Sequence, residues 1–92
     1  MPKYDKEIII TSEIFKALGH PTRMCIINKL THSELNVTQM QDCLDASQSS
    51  ISQHLAILKN KNIIVGQRIG SEIIYSLADN RMKDLIKIFL NE

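Results

Sequence analysis

The stretch ASQSSISQHLAILK (residues 46–59) decides the fold. Ile51, Leu55 and Leu58 share one side of a helix turned at about 100° per residue. Its front half is Ser and Gln, and Ser supports a helix less well than the Glu and Lys of an ordinary solvated face. On the same wheel Ser49, Gln53, Ala56 and Asn60 point outward, Ser50 and Ser52 flank them, and Gln48 sits in the first turn. The outward side therefore offers short donors, short acceptors and one methyl group. Those groups suit the edges of bases in a major groove: Gln pairs with adenine, Ser contacts several bases, and all are small enough for the helix to enter. The helix N-terminus adds free N–H groups and partial positive charge for a phosphate. The competing reading is a Ser-rich cap followed by a plain polar face.

Working outward, the charge pattern agrees with the first reading. The 92-residue chain has a net charge of only +1, but residues 46–71 contain no acid while Lys59, Lys61 and Arg68 are cationic. Acids there would repel phosphate. After residue 62 the helical period gives way to two β-branched-rich runs, IIVGQRI (63–69) and EIIYSL (72–77), parted by Gly70-Ser71. A two-residue Gly-X loop suits a type II′ hairpin. Arg68 on this hairpin has two readings, a phosphate or minor-groove contact or a solvated strand residue. His54 also has two: a DNA contact, or a half-buried histidine bonded locally, since it lies nearer the core side than Gln53.

The remaining elements are helical. Residues 4–18 carry Ile10, Ile14, Phe15 and Leu18 at helical spacing; Gly19 ends that helix and Pro21 opens the next, PTRMCIINKL. In that second helix Arg23, Ile26, Ile27 and Leu30 fall on one side, with Cys25, Asn28 and Lys29 on the other. Asn36 and Gln39 have capping-box spacing for a short third helix at 37–44. Ser47 caps the fourth, and Asn62 suits a left-handed end to it. Residues 79–90 return to helical spacing through Met82, Leu85, Ile86 and Phe89. The order α-α-α-α-β-β-α, mainly α with one β-hairpin, describes a winged helix-turn-helix in a single domain, residues 1–92.

Composition narrows the function classes. A chain this short buries only about 60% of its unfolded surface, and with 43% hydrophobic residues pairing would cover surplus apolar area. No run approaches the roughly 20 apolar residues of a membrane span. The opening MPKYDKEIII is no signal peptide, so a cytoplasmic location and no membrane partner are expected. Two cysteines, Cys25 and Cys43, are too few for a disulfide scaffold. No phosphate-binding Gly loop, paired carboxylates or catalytic Cys/His spacing is present, which argues against an enzyme.

The segments ALGHPTRMCIINKL and SQSSISQHLAILKNKNIIVGQRIGSEIIYSL resemble the ArsR/SmtB family of bacterial winged-helix repressors, over about residues 14–89. The pattern Ser-Gln-x-x-Ile-Ser-x-His-Leu-x-x-Leu and the HPTR opening of the second helix carry the likeness. The resemblance implies a homodimer paired through its first and last helices, with Ile14, Phe15, Leu85, Ile86 and Phe89 at the interface. It also implies a double-stranded, palindromic DNA operator read by two copies of the fourth helix, through Gln48, Ser49, Ser50, Ser52, Gln53 and His54 with Arg68 on the wing. The family's best-known inducers are metals. The position of its Cys-Val-Cys site here reads Asn36-Val37-Thr38, and the last helix has no His. No metal site and no cofactor are therefore expected, and the inducer is unknown. Cys25 and Cys43 are the residues open to thiol or persulfide sensing, against the alternative of small structural fillers. A winged-helix protein-interaction module is the reading from another class.

Overall fold

A computed structural model describes residues 3–44 and 46–90; the side chains of Asp42 and Cys43 lie outside it, and with the latter the expectation placed on that thiol. The elements are α1 (Lys6–Leu18), α2 (Pro21–His32), α3 (Val37–Leu44), α4 (Gln48–Asn60), β1 (Ile64–Ile69), β2 (Glu72–Leu77) and α5 (Arg81–Leu90). This is the winged helix-turn-helix order read from the sequence.

Local chemistry sets most boundaries. Pro21 is the first helical residue of α2, and the His20 side chain caps it by accepting from the Thr22 N–H at 3.1 Å. At α3 the capping box closes in both directions: Gln39 N–H donates to Asn36 Oδ1 and Asn36 N–H to Gln39 Oε1, each at 2.8 Å. Ser47 Oγ accepts from the Ser50 N–H at 3.1 Å to start α4. The helix ends at Asn62 with φ 58°. There the Ile63 N–H donates to the Leu58 carbonyl and the Asn62 N–H to that of Lys59. Those two bonds form the Schellman arrangement that satisfies otherwise orphaned carbonyls.

The hairpin is antiparallel, with Ile69 opposite Glu72, so Gly70-Ser71 is the whole loop. Gly70 has φ 64°, while among the described residues Asn62 alone of the non-glycines has positive φ. Positive φ at the first loop position but not the second makes this a type II′ turn. One pairing escaped the sequence reading. Leu35, just before α3, exchanges two backbone hydrogen bonds with Tyr75 of β2, at 3.1 and 2.8 Å. This bridge pins the hairpin to the helix-turn-helix. The Ile63 carbonyl accepts from the Ala78 and Asp79 N–H groups, tying the hairpin base to the entry of α5.

The core takes Ala17 and Leu18 from α1, Ile26, Ile27 and Leu30 from α2, and Met40 from α3. Ile51, Leu55 and Leu58 come from α4, Ile63, Ile64 and Tyr75 from the hairpin, and Met82 and Ile86 from α5. Several apolar positions stay outside it. Ile8, Ile9, Ile10 and Phe15 on α1 and Ile88, Phe89 and Leu90 on α5 are exposed, Phe15 by 57% and Phe89 by 72%. Ile14 and Leu85 are half-buried and share an apolar groove between α1 and α5 with Thr11, Phe15, Leu18, Arg81 and Met82. Ile86, expected among the interface residues, is instead 1% exposed: it packs into its own core and leaves no side-chain surface for a second chain. Cys25, expected on the outer side of α2, is a half-buried free thiol.

Candidate nucleic-acid interface

The side of α4 opposite Ile51, Leu55 and Leu58 carries Ser49, Gln53, Ala56 and Asn60; with Gln48 in the first turn and Ser52 at the flank, all six are exposed. Among the described residues, the side chains of Gln48, Ser52 and Gln53 have no hydrogen-bond partner within the chain. Ser49 Oγ lies 3.4 Å from Ser47 Oγ. Ser50 is half-buried, and its backbone N–H is taken up by the cap. It therefore stands at the edge of the row rather than in it.

Gln48 and Ser52 also line a polar groove of about 330 Å³ that runs past Asn36 and Thr38 to Ser71, Glu72 and Tyr75 of the wing. The wing is held over this groove by Asn36 Nδ2, which donates to Glu72 Oε1 at 3.1 Å, and by the Leu35–Tyr75 bridge. Asn36 thus has two tasks, capping α3 and fastening the wing. The sequence signal for Glu72 was its place as the first acid after the acid-free window. Arg68 is exposed on β1 opposite Ile73. Gly66 lets the wing close without crowding: a Cβ there would lie 2.8 Å from Ile73 Cγ2 and 3.1 Å from Tyr75 Cε1.

The basic zone is thinner than the sequence suggested. Lys61 Nζ sits 3.5 Å from Glu13 Oε2, which ties the end of α4 to α1. Glu13 also binds Lys16, and these contacts, Lys16 first, hold its carboxyl below the ordinary value. Lys59 remains exposed on α4.

His54 is placed apart from the outward row. It is half-buried, with Nδ1 3.2 Å from Arg23 Nη1 and its ring centroid 4.4 Å from that of His20. Burial pushes its pKa down, and the charges of His20 and Arg23 push the same way. The local, half-buried reading of His54 therefore fits its geometry. Arg23 escaped functional notice in the sequence, although an Arg on the apolar side of α2 was a sign that something polar waits there to receive it.

The stretch at 36–38, where the resemblance places a metal site, holds the capping box in place of ligands. At the start of α5, Asp79 pairs with Arg81 through both carboxylate oxygens. Among the described residues no three His, Cys, Asp or Glu side chains converge, and no helix is long and apolar enough to cross a membrane.

Comparison with known proteins agrees with this architecture. A model of the family described as bacterial regulatory protein, arsR family, matches residues 20–65, from the cap of α2 into β1. The HTH-type transcriptional repressor SmtB of Mycobacterium tuberculosis is 36% identical over 80% of this chain, which spans 55% of that protein's length. The transcriptional repressor PagR of Bacillus anthracis is 38% identical over 84% of this chain and 78% of its own. Its crystal structure superposes with a TM-score of 0.81, covering 89% of this chain and 94% of that one. HlyU from Vibrio cholerae, at 26% identity, superposes with a TM-score of 0.88 over 96% of both chains. With α4, the wing and the framing helices in this arrangement, the chain belongs to the ArsR family of bacterial regulatory proteins.

Proposed function

We propose that this chain is a DNA-binding transcriptional repressor that acts as a homodimer, with the two copies of α4 reading successive major grooves of a palindromic operator. One observation carries the reading: Gln48, Ser52 and Gln53 are exposed amide and hydroxyl groups with no partner among the described residues of the chain. Ser costs helix propensity and returns nothing to the fold here, while Gln puts an uncharged amide where an ordinary solvated face carries Glu and Lys; both match base edges. Ser49 extends the row, and Arg68 supplies a cation on the wing for phosphate or a narrow minor groove.

Pairing is supported by the apolar residues that α1 and α5 leave uncovered, above all Phe15, Ile88 and Phe89. Half-buried Ile14 and Leu85 continue that surface. A two-fold dimer would present two copies of α4 to one side of a duplex, about 34 Å apart if they read successive turns. The names of SmtB and PagR as transcriptional repressors support repression as the output.

Fluorescence anisotropy with duplexes from the region upstream of the coding sequence tests the reading. Wild-type protein should bind one duplex tightly, with affinity falling steeply as salt rises because phosphate contacts release counterions. Ser49→Glu and Gln53→Glu should abolish that binding while leaving the circular dichroism spectrum intact. Unchanged affinity in both variants refutes α4 as the reader. Weak binding that ignores salt points to the protein-interaction module.

A further inference from the structure

Arg23 is a donor twice over. Its Nε donates to the Ala17 carbonyl at the end of α1, and its Nη1 reaches His54 Nδ1 of α4 at 3.2 Å. The Ala17 carbonyl is among the last of α1, where helix carbonyls lack intrahelical partners and carry partial negative charge, so a guanidinium suits the position. One side chain thus joins the end of an apolar-faced helix to the middle of the reading helix. His54 is the neighbour of Gln53, so whatever moves His54 moves the outward row.

The chemistry of the contact fixes a protonation state. A guanidinium can only donate, so His54 Nδ1 must offer a lone pair, and the imidazole must be neutral. His20 stands beside it, its Nδ1 accepting the Thr22 N–H that caps α2. The charged groups acting on His54 are His20 and Arg23, both from the start of α2. From α1, Glu13 is engaged by Lys16 and Lys61. No carboxylate is among the groups that shift His54, so none offsets a proton added there.

We propose that Arg23 is a positioning residue for DNA reading, fastening α4 through neutral His54 to the end of α1, and that acid opens this tie and weakens operator binding. The inference rests on the reading of α4 as the DNA-reading helix. Its sign is diagnostic. Protonating histidines adds positive charge, which by itself would strengthen binding to a polyanion; only loss of geometry weakens it.

The test is operator affinity of the full chain between about pH 8 and about pH 5.5 at constant ionic strength. Wild type should weaken about tenfold, the scale of one hydrogen bond to a charged group. His54→Gln keeps an acceptor for Arg23 and cannot be charged, so its affinity should stay level. Wild-type binding that strengthens or holds level in acid overturns the proposal, as does an identical loss in His54→Gln. His20→Asn retains a cap acceptor and removes a neighbouring charge. If His54→Gln fails to fold, this second variant should move the acid loss to higher pH, because a charge that opposes protonation of His54 is gone, and an unmoved midpoint overturns the tie. If no duplex binds at any pH, the DNA reading itself has failed. The tie is then judged by NMR titration of His54 in the free protein: its midpoint should rise in Arg23→Gln, and an unchanged midpoint refutes the contact.

Discussion

Replacing Gly66 with alanine should destabilise the wing, by an amount the geometry sets. The new Cβ would stand 2.8 Å from Ile73 Cγ2 and 3.1 Å from Tyr75 Cε1, against about 3.5 Å for comfortable carbon contact. Neither neighbour yields readily: Cγ2 belongs to a β-branched side chain with few χ1 options, and the Tyr75 residue is 8% exposed and held on both sides of its backbone by Leu35. Overpacking of this kind costs about 1–3 kcal/mol. Removing a glycine from a strand returns about 0.5–1 kcal/mol. With one contact under 3.0 Å the cost falls in the upper half of that range, about 2–3 kcal/mol, so the net loss is about 1–2.5 kcal/mol, and at 4–8 °C per kcal/mol for a domain of this size the Tm should fall by roughly 4–20 °C. Thermal unfolding followed by circular dichroism, at one fixed protein concentration because pairing would add to stability, reads the change. In an Ile73→Ala background the closest clash is gone, so the penalty should shrink by more than half. A Gly66→Ala protein as stable as wild type, or an unchanged penalty in the Ile73→Ala background, would refute the argument from crowding.

Other expectations follow from single features. Phe89→Asp should leave the monomer fold intact, since Phe89 is 72% exposed, yet shift sedimentation toward monomer; an unshifted profile removes α5 from the interface. Ile86→Asp should behave oppositely and abolish cooperative unfolding, because that side chain is in the core. Asn36→Ala loses both the cap and the bond to Glu72 and should cost about 1 kcal/mol or somewhat more, with a matching fall in Tm. Asn62→Gly should be near neutral at φ 58°, whereas Asn62→Val should cost about 1–2 kcal/mol.

The features legible in the sequence are those encoded within a few residues. Asn36 with Gln39, Ser47 with its following turn, Pro21 and Asn62 are each recognisable because a cap is satisfied by its own neighbours. Gly70-Ser71 fixes the hairpin register in the same way. The Leu35–Tyr75 bridge was invisible, since its partners are far apart in the chain and a single extended residue has no period. Helical spacing identified the apolar stripes of α1 and α5, but it cannot tell a residue that meets its own core from one that meets a second chain. Ile86 and Phe89 are three apart on one helix and lie at opposite extremes of exposure. At the site, the outward row was legible because Ser is a weak helix former and the row carries no charge, unlike a plain solvated face. Lys61 looked like part of a basic patch because its partner, Glu13, comes from α1. His54 and Arg23 each stood out as polar groups near an apolar side; that they meet is a matter of tertiary packing.

The outward row of α4 has a consequence for how such a regulator changes over generations. Gln48, Ser52 and Gln53 contribute no hydrogen bond to the fold among the described residues, while Ile51, Leu55 and Leu58 of the same helix hold the core. On the proposed reading, stability and operator preference are written in interleaved but separate letters of one helix. A duplicated copy could exchange the first set for other small polar residues, acquire a new target, and stay folded at every intermediate step.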